Sequence, residues 1–116
     1  MKKHHQINYV EFPAAQLSKT KAFFERVFGW SFIDYGDEYT AFSEQGLDGG
    51  FYAAPLFSQV EKGSALIVIY SDNLEATEQA VIAAGGVIVK PIFSFPGGRR
   101  FHFTEPSGNE LAVWSE

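Results

Sequence analysis

Apolar and polar positions along this chain run through one pattern twice. From Ile7 to Phe12 they alternate as in a strand, with Val10 and Phe12 on one side and Tyr9 and Glu11 on the other. Pro13 has no N–H to give to a ladder and is expected to end that strand. Leu17, Phe23, Phe24 and Val27 then fall near one face of a helix predicted over Leu17 to Phe28. Gln16 or Ser18 would cap it, and Gly29 would terminate it. Strands are predicted at Trp30–Tyr35, Tyr39–Ser43 and Phe51–Ala54, with a turn at Gly36-Asp37 and a loop over Gly46–Gly50. Pro55 to Gly63 reads as a connector. The second round has a strand over Ala65–Tyr70 and an Asp72-Asn73 cap. A helix follows over Leu74–Ala84, closed by Gly85-Gly86. Three more strands are predicted at Val87–Phe93 (broken at Pro91), Arg100–Thr104 and Glu110–Trp114. Turns at Pro96-Gly97-Gly98 and Pro106-Ser107-Gly108-Asn109 separate them.

The two rounds keep step. Leu17 precedes Gly29 by the same 12 positions that separate Leu74 from Gly86. Such a repeat fixes an architecture before any residue is given a role. It predicts an α+β fold of two βαβββ modules, about 6–56 and 64–115, within one domain covering 1–116. Two half-sheets related in this way tend to enclose a cavity, with a helix on the other face of each.

Composition narrows the class. Of the 116 residues 46% are apolar and 20% charged, as expected of a packed globule. The chain has 12 Phe, 5 Tyr and 2 Trp, enough for an aromatic core, an aromatic cavity lining, or both. A net charge of −5 disfavours nucleic acid. The lack of cysteine excludes disulfides, thiolate catalysis and Cys-bound metal. No apolar run approaches the roughly 20 residues that cross a bilayer. The start, Met1-Lys2-Lys3-His4-His5-Gln6, lacks the apolar stretch of a signal peptide, so a cytoplasmic location is expected.

The paired modules, the exit Val27-Phe28-Gly29-Trp30 and the ending Phe101-His102-Phe103-Thr104-Glu105-Pro106-Ser107-Gly108-Asn109-Glu110-Leu111-Ala112-Val113-Trp114 resemble the vicinal-oxygen-chelate superfamily. This is the group of glyoxalases, bleomycin-resistance proteins and extradiol dioxygenases. The resemblance spans about Ile7 to Ser115 and implies a curved mixed sheet around a cavity with the helices on its outer face, dimers and, in the enzymes, a divalent metal. The family's ligands are usually His or Glu from the first and last strand of each module. Carried over, those positions fall at Tyr9, Tyr52, Leu66 and Ala112, and none is a His or a carboxylate. A catalytic metal needs about three protein ligands. No cofactor is therefore expected, with a divalent metal (Ni, Zn, Mn or Fe) bound at other residues as the alternative.

Other residues can carry chemistry. Tyr9, Glu11, Leu66, Val68, Tyr70, Glu110, Ala112 and Trp114 are assigned to cavity-facing positions, which makes the lining aromatic and apolar. Glu11 or Glu110 would act as a general base if desolvated, or would sit at the mouth paired with Arg99 or Arg100. His102 is a proton shuttle or a hydrogen-bonded strand residue. Pro96-Gly97-Gly98-Arg99-Arg100 is an anion-binding lid or a hairpin turn with solvated arginines. Candidate catalytic residues are thus Glu11, Glu110 and His102. Candidate ligand-binding residues are Tyr9, Tyr52, Leu66, Tyr70, Arg100, Ala112 and Trp114.

Three functions compete. One is a metal-independent small-molecule binding protein similar to the bleomycin-resistance branch, working as a homodimer. Another is a glyoxalase-like lyase or isomerase using a metal or a Glu base. The third is a ligand-sensing module acting through a partner. Fold alone does not choose among them.

Overall fold

The computed structural model describes residues 2–116, and Met1 lies outside them. Its first module is β1 (Tyr9–Ala14), α1 (Leu17–Phe28), β2 (Phe32–Asp34), β3 (Tyr39–Gln45) and β4 (Leu47–Ala53). Its second is β5 (Val68–Tyr70), α2 (Leu74–Ala83), β6 (Val87–Phe95), β7 (Gly98–Thr104) and β8 (Glu110–Ser115). A 3-10 turn, Val60–Lys62, lies between them. Each module forms one four-stranded mixed sheet, ordered β1-β4-β3-β2 and β5-β8-β7-β6. Only β1–β4 and β5–β8 run parallel. The predicted α+β repeat of βαβββ modules is the observed fold.

Local sequence explains most boundaries. Gly29 closes α1 in the left-handed region at φ 71°, where other residues are strained. Asn73 caps α2 by accepting from Ala76 N–H. Several expectations fail. β6 runs through Pro91 to Phe95, β5 starts at Val68 and not at Ala65, and β2 is only Phe32–Asp34. β1 does not stop at Pro13 but continues to Ala14. It is an edge strand, where proline is tolerated. The segment read as a Gly46–Gly50 loop is instead largely strand, since β4 starts at Leu47. Its glycines mark crowding. A Cβ on Gly49 would lie 2.5 Å from the Val10 carbonyl oxygen, and one on Gly50 would lie 2.2 Å from the Tyr39 hydroxyl.

Each sheet turns one face to a shared core. Phe12, Phe42 and Phe51 from the first sheet meet Phe101, Phe103, Leu111 and Val113 from the second in one buried cluster. α1 bridges them: Phe24 packs on Trp30 and Phe51, while Phe23 packs on Phe103. Burying side chains of this size stabilises the fold by about 1.5–3 kcal/mol each. The side chains on the other face of each sheet point away from this core.

A polar clasp joins the modules. Gln16 N–H donates to Ser107 Oγ, whose hydroxyl meets Thr20 Oγ1 at 2.6 Å. Thr20 donates onward to Glu105 Oε1. Asn109 Nδ2 donates to the Pro13 carbonyl and to Glu105 Oε2, both at 2.7 Å, while its Oδ1 accepts from Ser58 N–H. Burial pushes the Glu105 carboxyl above its ordinary pKa, against the opposing pull of Ser107, Thr20 and Asn109.

Candidate functional site

Strand alternation determines what the two outer faces carry. On the first sheet Glu11 pairs with Gly50, and Gly50 with Ala41, in one row. Tyr39 pairs with Tyr52 in the next. Because Gly50 has no side chain, the Tyr39 ring lies across β4. Its hydroxyl donates to Glu11 Oε2 at 2.9 Å and meets the Tyr9 hydroxyl at 2.6 Å. Tyr39 has one hydroxyl proton, so Tyr9 donates to Tyr39 and Tyr39 to Glu11. Burial, with the hydrogen bonds to Tyr9 and Glu11, raises the Tyr39 pKa, so it stays a phenol. This face therefore presents π surface and acceptors.

The outer face of the second sheet presents cations, Arg100 and Lys90, beside a histidine. His102 pairs in register with Ala112 and Lys90, and Arg100 with Trp114 and Phe93. His102 is 2% exposed. Its Nδ1 lies 3.1 Å from Glu110 Oε2, and Glu110 Oε1 accepts from Val60 N–H in the 3-10 turn. With both oxygens taken as acceptors, Glu110 assigns the Nδ1 proton to the ring. His102 Nε2 is buried and has no partner. Arg100 lies with its guanidinium over Phe93 and Phe95, 5.4 and 5.6 Å from the ring centroids. Its Nε is likewise buried without a partner. A cleft of about 350 Å³ opens beside Glu110, lined also by Val60, Val89, Lys90 and Thr104.

The residues singled out from sequence thus divide into two groups. Tyr9, Glu11 and Tyr52 share the first outer face. His102, Glu110, Arg100, Ala112, Trp114 and Tyr70 share the second, where Tyr70 packs edge-on against Trp114. Leu66 stands apart. It precedes β5 and lines an apolar cleft of about 430 Å³ with Val10, Phe12, Trp30 and Phe42. Arg99 pairs with the exposed Glu75, not with Glu11 or Glu110. Sequence reasoning missed Tyr39, because the glycine its ring covers, Gly50, lies on another strand and one register step away. It also missed Phe93 and Phe95, which resembled core residues.

The four positions aligned with the superfamily's metal ligands hold two phenols, an alkyl chain and a methyl group. They do not fit a divalent ion, which takes imidazole, carboxylate or thiolate donors. Among the described residues no three His, Asp or Glu side chains gather as a metal ligand set. Nor is any described helix long and apolar enough to cross a membrane.

A family model for the glyoxalase/bleomycin resistance protein/dioxygenase superfamily matches residues 6–113. No curated protein sequence matches the chain. Among solved structures, a glyoxalase-related enzyme from Fulvimarina pelagi is similar at TM-score 0.81 and 16% identity, over 97% of this chain and 88% of that one. The fosfomycin resistance protein FosX from Listeria monocytogenes is similar at 0.80 and 15%, over 98% and 95%. Lactoylglutathione lyase from Agrobacterium tumefaciens is similar at 0.71 and 16%, over 98% and 96%. At these identities the likeness is one of fold.

Proposed function

The chain belongs to the glyoxalase/bleomycin resistance protein/dioxygenase superfamily, and from that premise we propose that it binds a small molecule without a metal ion. The observation that carries this reading is the pair of outer faces. Each holds ordered polar side chains among aromatic ones, and neither offers a metal's donor set. A few convergent polar groups on an aromatic wall are what a small-ligand site needs. We further propose that two chains pair, so that the first face of one closes over the second face of its partner.

The test is metal content and thermal shift of the purified protein with Ni²⁺, Zn²⁺ and Mn²⁺. A ligand that binds only the native state raises Tm according to its affinity. Substoichiometric metal and an unchanged Tm are expected. One bound metal per chain with a clear rise in Tm would sink the reading.

A second reading, a lyase or isomerase, is favoured by one feature. Glu110 holds the proton of His102 on Nδ1 and leaves Nε2 without a partner, the arrangement of a carboxylate-oriented general base. Once a substrate is known, a His102→Gln variant that keeps full turnover removes this reading.

A further inference from the structure

The two unpartnered nitrogens on β7 lie two residues apart on one face, which places their Cα atoms about 6.6 Å from each other. Buried polar groups are as a rule satisfied, so two orphans side by side need a common explanation. The surroundings are short of negative charge. Arg100 and Lys90 bring cations from β7 and β6, and His102, with its proton on Nδ1, leaves Nε2 without a partner. The one carboxylate among them, Glu110 on β8, already accepts from Val60 and His102. Glu61 also lines the cleft beside Glu110, but it is exposed. Among the described residues Arg100 makes no ion pair, and its guanidinium is held by the faces of Phe93 and Phe95.

We infer that this site receives the carboxylate of a small apolar acid. The inference rests on the small-molecule reading above and names the ligand's class. One carboxylate oxygen accepts from Arg100 Nε–H, and the other meets His102 Nε2 through a proton taken up with the ligand, while Nδ1 stays the donor to Glu110. Planar guanidinium and imidazolium donors suit the two oxygens of a carboxylate. The ligand's apolar body lies against Phe93, Phe95 and Trp114. Arg100 is the part of the cover that moves. It is half-buried and tethered only by ring contacts, so its swing admits the ligand.

Benzoate and its uncharged isostere benzamide are the probes. Each is titrated into the full-length protein while the ring nitrogens of His102 are followed by ¹⁵N NMR. Benzoate should bind saturably, move Nε2 to the protonated, hydrogen-bonded position and bind at least tenfold more tightly than benzamide. Arg100→Gln should weaken benzoate at least tenfold, and Arg100→Lys, which keeps the charge but loses the Nε–H donor, should weaken it less. The wild-type comparison stands even if a variant misfolds. Equal binding of the two probes, or a His102 ring that benzoate leaves unmoved because water already satisfies it, overturns the inference. If a thermal-shift screen then finds uncharged ligands, the carboxylate falls and the small-molecule reading survives. If it finds none of any charge, both fall.

Discussion

At the scale of single residues, the most instructive position has no side chain. Gly50 sits inside a strand, where glycine costs stability, and its neighbour explains why. The Tyr39 hydroxyl and ring carbons occupy the space a Cβ would take, at 2.2 to 2.8 Å. The glycine is what allows Tyr39 to reach Glu11 and Tyr9. Gly50→Ala should displace Tyr39 and break both hydrogen bonds, costing about 1–3 kcal/mol as an overpacked site. In a Tyr39→Ala background the same change should cost close to nothing, because the clash is gone. Urea unfolding of the four proteins measures the coupling. Additive effects would mean that Gly50 has some other role. Sequence alone gives no sign of this pairing, since Tyr39 and Gly50 lie on different strands and their relation depends on register.

At the scale of elements, what was legible in the sequence followed local chemistry. The Leu17–Phe28 helix matches its prediction at both ends because an apolar stripe and a left-handed glycine bound it. The split of β1 into two faces was also readable, because alternation is a local property, but Tyr9 and Glu11, assigned to a cavity, lie on an exposed face of the chain. The Gly46–Gly50 segment was not readable, because its glycines answer to Val10, Phe42 and Tyr39, which are distant in sequence. The same holds for the site. His102, Glu110 and Arg100 were identifiable as candidates, but the free Nε2 and the Arg100 stack appear only once β6, β7 and β8 are aligned. The segment Glu105-Pro106-Ser107-Gly108-Asn109, which stood out as a family signature, turns out to be the clasp between modules. Asn109 is fully buried and uses all of its amide groups. Asn109→Ala would leave the Glu105 carboxylate, the Pro13 carbonyl and Ser58 N–H short of partners. At about 1–3 kcal/mol for each orphaned group, partly relieved by water, the loss should be on the order of 3 kcal/mol. The urea midpoint should drop at unchanged slope. A loss below about 1 kcal/mol would show that the clasp is not structural.

At the scale of the whole molecule, the helices and the inner faces share one core and leave both outer faces open. Those faces expose apolar surface: Ile33 and Tyr52 on the first, Val68, Tyr70 and Val87 on the second. Their polar groups are also opposite in kind. The first face offers Glu11 and phenol oxygens as acceptors, and the second offers Arg100 and Lys90 as cations with His102 beside them. A two-fold dimer satisfies both requirements at once, because setting the first face of one chain on the second face of another does so twice. It would also cover the Arg100 side chain, which in one chain is half-buried beside His102. Sedimentation at micromolar concentration should therefore give twice the mass of one chain. Val68→Glu places a charge amid this surface, on a short edge strand whose fold does not depend on it, and should release monomers that keep the wild-type circular dichroism spectrum. Because the faces are matched in charge, high salt should slow association more than it speeds dissociation. A wild-type protein that sediments as a monomer would remove the closed cavity, and with it any ligand site that needs two chains. The carboxylate site on β7 would then have to work within one chain, shielded from water by the Arg100 side chain and its two phenyl rings alone.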